Sequence, residues 1–212
     1  MFDKKKCIYY EEYFSKEHEK SFELLPGKGY VMVSAPHSVE QIRNGKIKYA
    51  EPHTGVLAKM VHDALGCPVI FKTKNCGDDA NYDKISIYKQ ALENYIKENN
   101  IKFLIDLHQL KPSRRVKINI GTGKNKNIYN MKLLDIMVNA FNSRDVGLLQ
   151  IDTPFSAAYP YTVSAYIASS CKISCLQIEI NTNILQQDSK ENKIEKVFDA
   201  LLEIINKSSK IL

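Results

Sequence analysis

The chain reads as a single α/β domain over residues 1–212, with a mainly parallel central sheet. Three observations predict this: apolar runs of strand length recur along the chain, helical apolar stripes alternate with them, and most of the runs look buried on both faces. At 212 residues and 44% hydrophobic composition the chain can bury one sizeable core, whereas two full domains would each be small.

In chain order, the strand-length runs fall at residues 30–35, 68–72, 102–108, 116–120, 147–151 and 174–181. Between the first two, Val56, Leu57, Met60, Val61, Ala64 and Leu65 recur at helical spacing. Ile85, Tyr88, Leu92, Tyr95 and Ile96 do the same between the second and third. Further helices are expected over residues 131–142, 162–170 and 192–206, the last with a stripe of Ile194, Val197, Phe198, Leu201, Leu202 and Ile205. No repeat or long linker interrupts this alternation. The polar stretches 74–83 and 121–130 read as loops, and loops at strand ends are where α/β sheets bind ligands.

Composition narrows the function classes. The formal charge is +6, but the lysines are scattered and interleaved with acids, which argues against a nucleic-acid arm and leaves room for a basic cleft that attracts an anionic substrate. No apolar stretch approaches the roughly 18 residues of a membrane span, and the start is charged and aromatic, so neither a membrane partner nor a leader is expected. Five cysteines, an odd number without a CxxC pair, fit reduced thiols and a cytoplasmic location.

The chemistry concentrates at three strand ends. The first run closes in Ser34-Ala35-Pro36-His37-Ser38-Val39-Glu40, so an imidazole and a carboxylate three residues apart leave a buried element; on a turn or helical start both can face one ion. The run Phe103-Leu104-Ile105-Asp106-Leu107 delivers His108, and a parallel topology can set that end beside the first. His37, Glu40 and His108 then form a three-ligand set of the catalytic zinc kind, with a fourth position open for water. Asp106, two residues before His108 and on the same face, is placed to accept the imidazole's second N–H or to bind another loop. His18, His53 and His62 stand in polar or helical contexts and read as structural or exposed.

Cys175-Leu176-Gln177-Ile178-Glu179-Ile180-Asn181 buries one acid in an apolar strand, where an unpaired charge costs several kcal/mol. Glu179 is either half of an ion pair with a neighbouring element or a catalytic carboxylate that takes a proton from zinc-bound water; the metal triad favours the second. Arg43, close behind the ligands, is the first candidate to steady an oxyanion or grip a substrate carboxylate. Arg114 and Arg115 after the His108 strand, and Asn81 in the loop Asp79-Ala80-Asn81-Tyr82-Asp83, are further candidates to line the cleft, each with an ordinary surface or turn role as the alternative.

Taken together, APHSVEQIRNG, FLIDLHQ and CLQIEIN resemble the N-formylglutamate amidohydrolase family, which is related to the zinc carboxypeptidases and the succinylglutamate and aspartoacyl deacylases. The resemblance implies a three-layer α/β/α sandwich of the phosphorylase/hydrolase-like kind with a mixed, mainly parallel sheet. It implies one zinc ion on His37, Glu40 and His108, and Glu179 as general base. The expected reaction is hydrolysis of a small N-acyl amino acid, N-formylglutamate for example, or of a short peptide. The same metal centre also serves carboxypeptidase-like or cell-wall peptide cleavage. A non-catalytic protein binding an anionic metabolite or nucleic acid on this scaffold is the alternative of another class.

Overall fold

A computed structural model describes residues 2–212. Its elements run α1 (Lys4–Phe14), β1 (Phe22–Leu25), β2 (Val31–Ala35), β3 (Gln41–Arg43), β4 (Lys46–Lys48), α2 (Pro52–Leu65), β5 (Val69–Lys72), α3 (Ile87–Glu98), β6 (Phe103–Leu110), β7 (Ile118–Gly121), α4 (Met131–Asn142), β8 (Leu149–Ile151), α5 (Val163–Cys171), β9 (Ser174–Asn181), α6 (Thr182–Leu185) and α7 (Ile194–Ser209). All six expected strands and all five expected helices are present, with ends shifted by a few residues.

Seven strands form one mixed sheet in the order β1-β5-β2-β6-β9-β7-β8. β5, β2, β6 and β9 run parallel, β7 and β8 run parallel to each other, and antiparallel pairings occur at β1–β5 and β7–β9. The alternation of strand side chains divides the core into two layers. Val31, Val33, Phe103, Ile105, Leu107, Leu176 and Ile178 face one way and pack under α1, α2, α4 and α7. Met32, Leu104 and Cys175 face the other way and pack under α3 and α5. Burial on both faces explains why these strands are continuous apolar runs in the sequence.

The helices carry the expected end signals. Ser86, Asn130 and Thr162 cap α3, α4 and α5 with side-chain oxygens that accept backbone N–H groups, and α2 stops at Gly66 with a positive φ. Among the described residues, no helix is long and apolar enough to cross a membrane.

Five elements lie outside the sequence expectation. α1 buries only Cys7 and Phe14 fully and docks by the contact of Phe14 with Gly55 in α2, where a Cβ would sit 2.3 Å from the ring. β1 is a half-buried edge strand, and α6 is a single turn after β9. β3 and β4 form a separate hairpin turned by Asn44 and Gly45, both at positive φ. Asn-Gly between Ile42 and Ile47 is a hairpin signature in its own right.

Candidate metal centre and cleft

Parallel pairing sets the site. β2 and β6 align Ser34 with Asp106, and β6 and β9 align His108 with Glu179. His37, just past β2, therefore arrives beside His108 at the carboxyl ends of adjacent strands, and the two rings meet edge to face with centroids 4.7 Å apart. Asp106, His108, Gln177 and Glu179 share the sheet face covered by α3 and α5, because residues two apart on a strand point the same way.

The carboxylate between the imidazoles is Glu51, and this corrects the expectation for Glu40. Glu51 Oε1 lies 3.2 Å from His37 Nδ1, and Glu51 Oε2 lies 3.2 Å from His108 Nδ1. Glu40 is exposed and outside this group. The reason is local: after His37 the chain bends into the β3–β4 hairpin and forms no helical turn, so a spacing of three no longer brings two side chains together. The excursion closes where the Glu51 N–H donates to the His37 carbonyl at 2.7 Å, at the threshold of α2. Pro52, the first residue of α2, starts that helix and fixes Glu51 in place. The Gln109 N–H donates to Glu51 Oε2 at 2.9 Å, which orients the carboxylate.

Each imidazole is held from behind by a fully buried carboxylate. His37 Nε2 donates to Asp79 Oδ1 at 2.9 Å, and His108 Nε2 donates to Asp106 Oδ2 at 3.3 Å. The Asp106 contact is the one its place in the strand suggests. Asp79, which no spacing argument singles out, also takes the Arg43 Nε–H at 2.8 Å. Its own N–H donates to Asp83, so the 79–83 loop supports the site from beneath.

The residues present fit a divalent metal. With Nε2–H committed to a carboxylate, each imidazole is left to present Nδ1 to the space shared with Glu51, which is how metal-bound histidines are commonly oriented. Ligand atoms of His37, Glu51 and His108 all lie within 4.8 Å of one another. The local charge agrees: Glu51, Asp79 and Asp106 crowd a buried space in which Arg43 engages one of them. Burial works against charge on His37, but Glu51 and Asp79 outweigh it and raise the pKa; His108 is raised well above its ordinary value in spite of burial, by Asp106 and Glu51. A cation at this place would supply the balancing charge that the imidazoles otherwise take from protons.

Above the three residues opens a cleft of about 470 Å³. Glu179 forms part of its wall with 8% of its surface exposed, and accepts the Gln177 Nε2–H at 2.9 Å. Burial pushes the Glu179 carboxyl up to about 7, reinforced by Glu51 and Asp106 and opposed by His108 and His37. No ion pair to lysine or arginine accompanies this acid among the described residues, so the structural alternative for Glu179 lacks its partner.

Of the other expected site residues, Arg43 lines the cleft with its guanidinium over the Tyr82 ring, 4.8 Å from the centroid. Arg114 also lines it, 5.1 Å over Phe155. Asn81 reaches the wall, but its Oδ1 is taken by the Val163 N–H at 2.7 Å, which makes it a support for the first turn of α5. Arg115 is exposed and is not brought to the cleft. Lys48 and Lys111, without a sequence signal of their own, add two more cations to the lining. His18 and His62 are occupied by backbone carbonyls, and His53 lies 3.5 Å from Glu11, away from the centre.

The fold is an α/β/α sandwich, with the cleft at the carboxyl ends of the parallel strands. Among solved structures it is shared by N-formylglutamate amidohydrolase from Ralstonia eutropha, at 11% identity and a TM-score of 0.60, covering 90% of this chain and 98% of that one. A bacteriophage poly-gamma-glutamate hydrolase matches with 15% identity and a TM-score of 0.58, covering 93% and 92%. A proposed carboxypeptidase A from Shewanella denitrificans matches with 13% identity and a TM-score of 0.54, covering 96% and 68%. No protein-family model and no curated protein matches the chain in sequence. At these identities the likeness is one of fold, and it is the fold that the sequence resemblance implies.

Proposed function

We propose that this chain is a zinc-dependent amidohydrolase that cleaves an N-formyl or other N-acyl amino acid, with N-formylglutamate as the first substrate to test. The observation that carries the reading is the convergence of His37, Glu51 and His108 beneath an open cleft, with Glu179 in its wall. When bound, zinc supplies a water of lowered pKa and polarises the scissile carbonyl. Glu179, poised near neutrality by burial, accepts the proton of the attacking water on its carboxylate and returns it to the departing nitrogen. Asp79 and Asp106 hold the two rings in register, and the Gln109 N–H holds Glu51.

Arg43, fixed through Nε by Asp79, keeps its terminal nitrogens for a substrate carboxylate or a developing oxyanion. With Lys48, Lys111 and Arg114 it makes the cleft cationic, which suits an acidic substrate and supports the glutamate derivatives named for two of the structural neighbours. The cleft holds about 470 Å³ and carries these cations in its wall. It therefore also supports a second reading, in which the centre cleaves an acidic peptide in a carboxypeptidase-like manner. The free thiols suit a cytoplasmic setting for either activity.

Metal analysis of the purified protein, followed by turnover on N-formyl-, N-acetyl- and N-succinylglutamate and on glutamyl peptides, tests the proposal. Stoichiometric zinc with turnover of one of these amides is the expected result. A metal-free protein that turns over none of them returns the chain to the binding-protein alternative.

A further inference from the structure

Gln177 sits on β9 two residues before Glu179, on the same face, and its Cα pairs with Asp106 on β6. Only 3% of its surface is exposed, and what is exposed lines the cleft. Its amide is half used. Nε2 donates to Glu179 Oε1 at 2.9 Å, whereas Oε1 is buried and has no partner among the described residues. A buried acceptor left without a donor is costly, and native proteins rarely leave one so. Asp106 Oδ1 is also unpartnered, but of the two residues only Gln177 borders the cleft.

The cations of the cleft, Arg43, Lys48, Lys111 and Arg114, present donors. Gln177 Oε1 is instead an uncharged acceptor without a partner, and it complements a donor on the guest. A secondary amide has one such donor at the scissile bond, its N–H; an ester has none. Glu179, to which Gln177 is bonded, is the group that delivers a proton to this same nitrogen under the proposed mechanism. An amide nitrogen beside Glu179 therefore stands next to Gln177 as well, because the two side chains are joined by their hydrogen bond.

We propose that Gln177 is a specificity-determining residue, whose Oε1 accepts the N–H of the scissile bond while its Nε2 holds Glu179, so that the cleft selects a secondary amide over the matching ester. This rests on the hydrolase reading above and adds the class of bond to it. A site that hydrogen-bonds a substrate N–H discriminates strongly against an analogue lacking it, because its own acceptor is then left bare.

The test compares kcat/KM for N-formyl-L-glutamate with that for its ester counterpart, O-formyl-2-hydroxyglutarate, in zinc-loaded wild type and Gln177→Met. Loss of the contact to Glu179 lowers both rates in the variant. Loss of the acceptor lowers the amide further, so the amide-to-ester ratio is expected to fall roughly tenfold or more with zinc content unchanged. Gln177→Glu keeps acceptor oxygens at this place and is expected to preserve the ratio, which supplies an answer even when the methionine variant does not fold. An unchanged ratio in Gln177→Met, or its loss in Gln177→Glu, overturns the role of Gln177 and leaves the hydrolase reading standing. Wild-type protein that turns over neither compound overturns that reading, and this inference with it.

Discussion

Glu40 and Glu51 lie 11 positions apart and make opposite predictions about the metal. Glu51→Gln is expected to lose zinc on dialysis, as are His37→Ala and His108→Ala, because each removes one of three converging donors. Glu40→Gln, changed on an exposed turn, is expected to retain it. Metal content after dialysis decides, and zinc retained by Glu51→Gln but lost from Glu40→Gln would restore the original spacing argument. Glu179→Gln is expected to keep full zinc and lose roughly 10² to 10⁴ in kcat, the usual contribution of a positioned general base. Wild-type turnover in that variant would remove Glu179 from the mechanism. The acid in the apolar strand and the two histidines at strand ends were legible because charge and imidazole are conspicuous in a buried run. Glu51 was not, since an acid in front of a helix is ordinary and its meaning depends on where the hairpin returns the chain.

At the scale of elements, the weak sequence signals belong to pieces whose stability comes from docking. Lys4–Phe14 has little apolar periodicity, and its place is decided by Phe14 lying on Gly55 and meeting Phe71 edge to face. Glycine inside a helix costs about 1 kcal/mol relative to alanine. Here the cost has a physical return, since a Cβ would stand 2.3 Å from the Phe14 ring. Gly55→Ala is therefore expected to destabilise the protein by about 1–2 kcal/mol, overpacking outweighing the gain in helix propensity. Denaturant unfolding measures it, and a more stable variant would mean that α1 is free to shift. The hairpin illustrates the opposite case: Asn44-Gly45 is a strong local turn signal, but only its closure by Glu51 N–H on His37 O shows that it separates two residues of one site.

For the whole molecule, a metal held at the proposed site would couple binding to stability. A ligand that binds the native state alone adds about 2.7 kcal/mol at a hundred times its dissociation constant. Zinc is accordingly expected to raise the thermal midpoint by several degrees, and Glu51→Gln to abolish the rise, as read by calorimetry with and without chelator. An unshifted midpoint at saturating zinc would argue against a preformed site. Thiol chemistry offers an independent check on packing. Cys7 and Cys67 are buried, and burial pushes both thiols up to about 12. Near pH 8 the native protein is expected to alkylate first at exposed Cys76, with Cys7, Cys67 and Cys175 reacting only after unfolding, as peptide mapping would show.

The sequence by itself determined the class of fold and the chemical types at the centre. Runs of Val, Ile, Leu and Phe buried on both faces can only pair into a covered sheet, and imidazoles and an acid at the ends of such runs are expensive to place without a use. Tertiary structure alone decided which carboxylate stands between the two imidazoles, which aspartates hold the rings, and that Arg114 lines the cleft while Arg115 does not. Strand order, register and the return of a hairpin bring together residues distant in sequence, and no spacing along the chain encodes those distances.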